Sequence, residues 1–422
     1  MTADVEALPR RTSAGAVHSE GLGRRQVHAV AACYFVASFA ALGLPPYLTA
    51  ILPTLGDAQA RWAGVLYIVP TVFSGLGAPL WGRLADRFGR KRLLLRAQLG
   101  LTVSFLLAGA ADSLPAFTVA LVLQGFLGGT FAATNGYLAA ALDGPRLSRA
   151  LTLMQGSARA ALVAAPILVG ALSPWIDPHR QYLVMAVLPL AAALLLSLLP
   201  EPKAARPAGE VTEATEAVEV TTGASVQESE HSAPVSLRPL YAFEFTFVFA
   251  TVISFPYLIT LAQQRLPGVS GITTGVLFAL PHLCYLMFAA RTHTVFHARP
   301  HAGIALGFGC VTLGLAGHAV AYSLPVFVAV RLLLGAGLTL GLVSLAVLAA
   351  GAAKGRQPGR MFGTLELVSK GGAVAAGAVA ALANDRFGAA APVVAGTAAA
   401  LLAAVAATAL TVPSARQRWS RR

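Results

Sequence analysis

The sequence predicts an all-α membrane protein in which twelve transmembrane helices form two pseudo-symmetric six-helix halves. The chain is 56% hydrophobic and only 12% charged, with a mean hydropathy of +0.69, whereas a soluble domain carries about 25% charged residues. A helix that crosses a bilayer needs about 20 apolar residues, and twelve such runs fit the 422 residues of the chain. They are predicted at 27–51, 61–81, 95–113, 116–140, 150–173, 181–200, 240–262, 272–290, 302–322, 325–349, 361–383 and 389–412.

The chain also contains an internal repeat with a shift of 210 or 211 residues. The segment Gly64-Val-Leu-Tyr-Ile-Val-Pro70 recurs as Gly275-Val-Leu-Phe-Ala-Leu-Pro281. The other matched pairs are Pro46-Tyr47-Leu48 with Pro256-Tyr257-Leu258, and Ser113-Leu-Pro-Ala-Phe117 with Ser323-Leu-Pro-Val-Phe327. The matched pieces lie in spans of the same orientation, so the repeat is parallel. Transporters built from such repeats place their substrate site between the halves, near the bilayer midplane.

Polar segments divide the chain and flank it. The predicted units are a cytoplasmic N-terminal tail at 1–26, a six-helix half at 27–200, a linker at 201–238, a second six-helix half at 239–412 and a basic cytoplasmic tail at 413–422. The linker has too little apolar surface to offset the entropy cost of ordering, so we expect it to be disordered and cytoplasmic. No small-residue cleavage site follows the first apolar run, which we therefore expect to be a retained helix and not a signal peptide.

Lysine and arginine residues indicate the orientation. The chain has 31 lysine and arginine residues, and 24 of them fall in the two tails or at the loops that follow even-numbered spans. Four fall in the opposite loops, namely Arg61, Arg180, Arg265 and Arg386. The positive-inside rule then predicts that both termini are cytoplasmic. The net charge of +13 is accordingly a topology signal, and nucleic acid is not expected as a partner.

Composition narrows the localisation and the chemistry. Abundant Ala, Gly and Arg with few Lys is typical of a GC-rich bacterial genome, so we expect a bacterial inner membrane. The three cysteines, Cys33, Cys284 and Cys310, lie singly in apolar runs, which predicts neither a disulfide framework nor a metal site. No phosphate-binding loop, dinucleotide fingerprint or nucleophile motif occurs, so we expect neither a cofactor nor an enzymatic activity.

One polar stretch, Gly82–Lys91, reads G-R-L-A-D-R-F-G-R-K between spans two and three. Gly82 and Gly89 lack a Cβ and are expected to let the backbone turn sharply, and Asp86 is expected to pair with a neighbouring arginine or to cap a helix end. The stretch resembles the signature loop of the major facilitator superfamily. The matching residues are Gly82, Asp86, Arg87, Gly89, Arg90 and Lys91. The resemblance implies alternating access, with this loop gating the cycle by holding cytoplasmic helix ends together in one state.

Two bases lie deep within the predicted spans. Arg159 and Lys370 occupy matched positions of the repeat, ten residues beyond Arg149 and Arg360 at the cytoplasmic ends of spans five and eleven. Ten helical residues rise about 15 Å, which is half of a hydrocarbon core of roughly 30 Å. A charge at that depth is costly, so the pair predicts an anion-binding site between the halves. Structural pairing within the bundle is the alternative.

Glu366 precedes Lys370 by one helical turn, and Gln155 holds the matching place before Arg159. Residues four apart share one helix face, and Glu before Lys is the favourable order. One interpretation is mutual neutralisation. The other is that protonation of Glu366 frees Lys370 for an anionic substrate, which makes Glu366 the candidate that couples proton and substrate. Gln155 joins the substrate-binding candidates on the same reasoning.

Further candidates lie in the same spans or near the breaks. Glu244 and His282 are candidates for proton coupling, with interfacial water and an ordinary interior hydrogen bond as the alternatives. Prolines interrupt spans one and seven at matched places, and broken helices mark gates and sites in transporters. Four polar residues are candidates for substrate binding, with packing as the alternative: Asn135, Tyr34, Tyr47 and Tyr257.

Span four departs from the superfamily pattern. Many proton-coupled members carry an arginine three residues before a Gln-Gly pair, which here is Gln124-Gly125, but this chain has Leu121 at that place. The matched position in the second half is Arg331. The resemblance therefore adds Arg331 to the substrate-binding candidates.

The main functional hypothesis is a secondary active transporter that exports an anionic or polar metabolite by proton-coupled alternating access. The run Ala41–Thr49, A-L-G-L-P-P-Y-L-T, is similar to that of alcaligin-type siderophore exporters, which implies a siderophore as the substrate. A multidrug efflux antiporter for amphipathic compounds is the first alternative, and a membrane receptor or scaffold that does not transport is the second. The expected partners are an anionic small molecule, protons and the lipid bilayer, and the chain is expected to act as a monomer.

Overall fold

The computed structural model describes residues 22–142, 144–199, 237–352 and 358–411. Every regular element in these ranges is helical, which confirms the predicted all-α class. The predicted tails, apart from the last residues of the first one, and nearly all of the predicted linker lie outside the described residues.

The N-terminal half runs from α1 to α9. Its helices are α1 (Arg24–Gly43), α2 (Leu48–Ile51), α3 (Ala63–Phe88), α4 (Arg90–Ala110), α5 (Leu114–Leu127), α6 (Thr130–Ala141), α7 (Gly144–Leu172), α8 (Gln181–Met185) and α9 (Val187–Ser197). Short 3₁₀ turns at Pro45–Tyr47 and Leu52–Leu55 flank α2. Because proline lacks an N–H and cannot continue the hydrogen-bond ladder, the first span breaks at Pro45, as its sequence predicts.

The C-terminal half runs from α10 to α16. Its helices are α10 (Arg238–Val252), α11 (Leu258–Arg265), α12 (Gly271–Phe296), α13 (Pro300–Val320), α14 (Leu324–Ala352), α15 (Pro358–Phe387) and α16 (Ala391–Thr411). The break between α10 and α11 includes Pro256, the match of the break in the first half. The two halves therefore share their interrupted first span.

Nine helical segments of the described chain are long and apolar enough to cross a membrane. The other three predicted spans, at 116–140, 181–200 and 240–262, each consist of two shorter helices. Together with the nine they make up the twelve predicted spans. The prediction of one unbroken helix over 116–140 is wrong, because α5 ends at Leu127 and α6 begins at Thr130. Between them Gly129 has φ +68°, a left-handed conformation that glycine adopts without a steric penalty.

The turn of the signature loop is shorter than predicted. Helix α3 continues through Gly82 to Phe88, and only Gly89, with φ +92°, lies outside a helix. A Cβ added at Gly82 would meet nothing within 4 Å. The expectation that Gly82 is a turn glycine is therefore wrong, because the helix extends past it and the chain reverses at one residue.

The predicted repeat is visible in the packing of matched residues. Gly125 on α5 lies against the backbone of Pro70 on α3, and a Cβ there would clash with the Pro70 carbonyl. Gly335 on α14 lies in the same way against Pro281 on α12, whose Cα would be 2.9 Å from an added Cβ. In both halves a glycine thus lets one helix approach the backbone of its neighbour at a proline.

The two halves meet closely at one end of the bundle, which we name the sealed end. There Gly170 of α7 faces Gly271 of α12, and Gly64 of α3 faces the Gly377 carbonyl of α15, each without room for a Cβ. An ion pair of 3.6 Å between Arg61 Nε and Asp385 Oδ1 also joins the halves at this end. The opposite end, which carries the Gly89 turn, is named the open end.

Candidate functional site

Arg159 lies near the middle of α7 and contacts the other half. Its Nη1 is 3.4 Å from Nδ1 of His282 on α12, and its Cζ lies 5.4 Å from the centroid of the Tyr285 ring. The hydroxyl of Tyr34 on α1 is within electrostatic range. No ion pair between Arg159 and a carboxylate is found among the described residues. The predicted anion-binding base therefore has only neutral polar and aromatic neighbours there.

Lys370 has a different environment. Its Nζ is 3.5 Å from Glu366 Oε1, one turn earlier on α15, and the side chains are 37% and 68% exposed respectively. The two matched bases thus differ in their electrostatic environment, because Lys370 has an acidic partner on its own helix. This asymmetry follows from Glu366 and Gln155, which stand at the matched places before the two bases.

Acidic groups cluster between α10 and α15. The Glu244 carboxylate is half-buried and lies close to the Ser369 hydroxyl, and it lies within electrostatic range of Glu366. Glu366 is also within electrostatic range of Tyr34, which belongs to the other half. The Glu366 side chain is 68% exposed, so it stays accessible beyond the level of Arg159, towards the open end.

The matched tyrosines lie at the sealed end. The Tyr47 hydroxyl donates to the Pro166 carbonyl at 2.6 Å and lies against Thr274 of α12. The Tyr257 hydroxyl accepts from the Gly64 amide at 3.1 Å and lies 3.5 Å from the Arg61 carbonyl. Both side chains are buried. The structure thus places Tyr47 and Tyr257 in the contacts that close this end and does not bring them to Arg159.

A polar cavity of about 300 Å³ adjoins the ion pair of the sealed end. It lies between the halves, with Tyr257 and Thr260 on one side and Arg61 on the other. Among the described residues, the contacts that close this end therefore include hydrogen bonds and an ion pair as well as the glycine contacts.

Arg331 is also placed away from the space between the halves. The side chain is fully buried, and it donates from Nε to the Leu277 carbonyl at 2.6 Å and from Nη2 to the Phe278 carbonyl at 2.8 Å. Pro281 has no N–H, so the Leu277 carbonyl lacks its helical donor. Arg331 therefore supplies the missing hydrogen bond inside the C-terminal half, and its partners are backbone atoms.

The remaining predicted substrate residues lie towards the open end. Gln155 is exposed on α7, one turn before Arg159, and Asn135 is exposed on α6. Tyr34 is buried on α1 within range of Arg159. The structure thus brings Tyr34, Arg159 and His282 together, and leaves Gln155 and Asn135 on open surface.

Residues of the signature loop donate hydrogen bonds to backbone carbonyls in their own half. Arg90 Nη1 donates to the Gly136 carbonyl at 2.9 Å, and Lys91 Nζ donates to the carbonyls of Ser197, at 2.9 Å, and of Leu199. The Arg87 guanidinium lies 5.4 Å from the Phe88 ring centroid. The side chain of Asp86 lies outside the described part of the structure. These three carbonyls, of Gly136, Ser197 and Leu199, belong to the N-terminal half.

Sequence reasoning missed a cluster at the break between α5 and α6. Trp81 Nε1 donates to the Phe126 carbonyl at 2.7 Å, Arg96 donates to the Leu127 carbonyl, and the Arg96 guanidinium lies 3.4 Å from the Trp81 ring centroid. Carbonyls at a helix end lack intrahelical donors, and these two side chains supply them. The adjacent glycines Gly128 and Gly129 were the available signal for the break.

The sequence comparison decides the family. Residues 30–300 match the profile described as Major Facilitator Superfamily. This chain belongs to the Major Facilitator Superfamily. As a member of that superfamily it is a multi-pass membrane transporter and not an enzyme.

Solved structures of other transporters share the fold of this superfamily member. A POT family transporter in complex with 5-aminolevulinic acid aligns over 90% of this chain and 95% of its own, with a TM-score of 0.71 and 10% identity. The human organic anion transporter MFSD10 (TETRAN) aligns over 91% of this chain and 99% of its own, with a TM-score of 0.64 and 20% identity. At these identities the likeness concerns the fold alone.

Curated relatives match a shorter part of the chain. The multidrug resistance protein MdtG of Serratia proteamaculans is 34% identical over 157 residues, which are 36% of this chain and 36% of that protein. MdtG of Dickeya zeae is 32% identical over 160 residues, which are 37% of this chain and 39% of that protein. The alignments thus span little more than a third of the length of these relatives.

Proposed function

We propose that this superfamily member is an efflux transporter for amphipathic organic compounds, working by alternating access in a bacterial inner membrane. The observation that carries the proposal is the arrangement of the halves, which are in close contact at the sealed end and meet at Arg159 and His282, with Gln155 and Glu366 exposed beyond that contact. The names of the curated relatives, multidrug resistance proteins, support this substrate class over a siderophore. Siderophore export, the main hypothesis from the sequence, finds no support among them.

The open end is assigned to the cytoplasm. The signature loop, with its cluster of arginines and a lysine, lies at this end, whereas Arg61 and Asp385 lie at the other. Basic loops remain on the cytoplasmic side. The described conformation is therefore cytoplasm-facing, the state in which an exporter takes up its substrate, and both termini are cytoplasmic.

The two acids on α10 and α15 suit a cationic or neutral amphipathic ligand. Glu244 is half-buried between α10 and α15, and Glu366 lies within electrostatic range of it. Aromatic faces attract cations, and Phe245 and Phe249 stack at 6.5 Å on the same helix as Glu244. Such pockets bind through apolar surface and a few polar groups that fix orientation. A proton on either carboxyl group would then compete with a cationic ligand.

A second candidate is export of an anionic metabolite. It is favoured by one observation, the absence of an acidic partner for Arg159 among the described residues. The guanidinium is a strong donor for carboxylate, sulfonate and phosphate groups. An anion would bind beside Tyr285 and His282, at the boundary between the halves.

Everted membrane vesicles that are acid inside test the proposal. Addition of ethidium should release protons from the vesicles and dequench a pH-sensitive dye, and Glu244→Gln should abolish that response. Asp177→Asn, which removes an exposed carboxylate at the sealed end, is the matched control and should respond as the wild type. Dequenching by a hydroxamate siderophore but not by ethidium would reverse the proposal in favour of the anionic candidate.

A further inference from the structure

We propose that the contact between Arg159 and His282 is a proton-sensitive latch between the two halves. The latch requires only that the halves separate and close. Its consequence for substrate charge rests on the proposed function. The contact joins α7 of the N-terminal half to α12 of the C-terminal half, at 3.4 Å between Arg159 Nη1 and His282 Nδ1.

The chemistry of the two side chains decides the state of the imidazole in the sealed conformation. A guanidinium donates hydrogen bonds and accepts none, so Nδ1 of His282 must be the acceptor and Nε2 must carry the ring hydrogen. The side chain is 1% exposed, and Nε2 has no hydrogen-bond partner among the described residues. The closed interface therefore accommodates only a neutral His282.

The groups around the imidazole make a second charge there unfavourable. Helix α14 contributes Arg331, which bonds to the Phe278 carbonyl one turn before His282. The segment between α10 and α11 contributes the Phe255 ring at 5.9 Å, and α12 itself contributes the Phe278 ring at 6.0 Å. Other titratable groups nearby are Tyr285 and Tyr34 beside Arg159, Cys284 near Arg331, and Tyr67 of α3 against the Phe255 ring. These described neighbours include two guanidinium groups and no carboxylate.

Protonation of His282 therefore acts on the interface itself. Two like charges at hydrogen-bond distance repel strongly in a site with little water. The helices that carry them, α7 and α12, are the ones whose glycines Gly170 and Gly271 close the sealed end. A proton on His282 thus favours separation of α7 and α12. By linkage, the proton binds as the sealed end opens and leaves as it closes.

The sign of the coupling depends on the charge of the substrate. A cation in the space between the halves adds to the positive charge of Arg159 and opposes protonation of His282, so cation and proton exclude each other. An anion on Arg159 cancels that charge and favours protonation, so anion and proton bind together. Mutual exclusion produces exchange, and joint binding produces co-transport. Efflux driven by an inward proton gradient through this latch is accordingly efflux of cations.

Spin labels across the seal test the latch without any substrate. The protein would be placed in nanodiscs with labels at Trp175→Cys, beyond the end of α7, and Ile272→Cys, at the start of α12, both exposed positions. The three native cysteines would be replaced by serine. Acidification from pH 8 to 6 should increase the population of the state with the longer distance between the labels. For one proton, the ratio of the two populations changes by at most about tenfold per pH unit. His282→Gln and Arg159→Gln should each remove this pH dependence.

A control separates the latch from other histidines. His318 on α13 is fully buried and bonds to the Gly314 carbonyl, outside the contact, so His318→Gln should respond to pH as the wild type does. A wild-type distance that ignores pH, or a His282→Gln variant that responds normally, would overturn the proposal. Ethidium binding should weaken on acidification in the wild type and weaken less in His282→Gln, where only the carboxyl groups still compete with the cation. A normal distance response without ethidium transport would leave the latch standing and remove the proposed function.

Discussion

Arg331 on α14 donates a hydrogen bond to the carbonyl of Leu277 on α12, which is the carbonyl that Pro281 leaves without a helical donor. The first half has the same proline, Pro70, but Leu121 at the place of Arg331. Among the described residues, a side chain therefore replaces the missing donor at Pro281, whereas Leu121 has no donor to offer at the matched place.

Replacement of Arg331 by leucine, the residue at the matched position, should destabilise the protein. The Leu277 carbonyl, which has no helical donor, would be left unsatisfied at a cost of about 1–3 kcal/mol, whereas the Phe278 carbonyl keeps the amide of His282. The apparent Tm in detergent should fall, and it should fall less in Arg331→Lys, which keeps one charged donor. An unchanged apparent Tm in Arg331→Leu would show that the stability of the protein does not depend on this side chain.

A Cβ at Gly170 should prevent the seal from closing. Gly170→Ala places a methyl group against the backbone of Gly271, and overpacking of this kind costs about 1–3 kcal/mol. Transport should fall, and a residue at the sealed end should become reactive to a membrane-impermeant maleimide. Gly156→Ala on the same helix is the control, because an added Cβ there would meet nothing within 4 Å. Equal transport by the two variants would contradict the assignment of the seal.

The Tyr257 hydroxyl should contribute to the seal through its bond to Gly64. Tyr257→Phe removes the acceptor for the Gly64 amide and the donor to Arg61, each worth about 1 kcal/mol. Maleimide labelling at the sealed end should therefore increase without loss of folded protein. Tyr322→Phe serves as the control, since the exposed Tyr322 contacts Arg265 through its ring at 4.1 Å and not through its hydroxyl. Labelling that rises equally in both variants would refute a specific role for Tyr257.

Glu366→Gln should leave stability unchanged while altering transport. The ion pair with Lys370 is largely exposed, and exposed pairs four residues apart on a helix contribute about 0.3–0.5 kcal/mol. We expect an unchanged apparent Tm with loss of proton-driven transport and retention of substrate binding. Lys370→Met is the companion variant that tests whether the pair acts as a unit. Wild-type proton coupling in Glu366→Gln would remove Glu366 from the coupling candidates.

The sequence predicted the transmembrane class, the parallel repeat and the breaks at Pro45 and Pro256. It also predicted that Glu366 and Lys370 share one helix face, because residues four apart on a helix are neighbours whatever surrounds them. It failed at Gly82, which lies within α3, and at the break of span four. Both failures concern helix ends, where the outcome depends on which neighbouring side chains supply the missing hydrogen bonds, as Trp81 and Arg96 do.

What the sequence determined by itself was where the chain crosses the membrane, since hydropathy, charge and proline positions act on each segment separately. Only the tertiary structure decided the partners of the polar residues. Arg331 meets a backbone carbonyl, Tyr257 meets Gly64 in the other half, and Arg159 meets His282. These contacts join residues that lie 54, 193 and 123 positions apart. They depend on the rotation and close approach of whole helices, which no local pattern encodes.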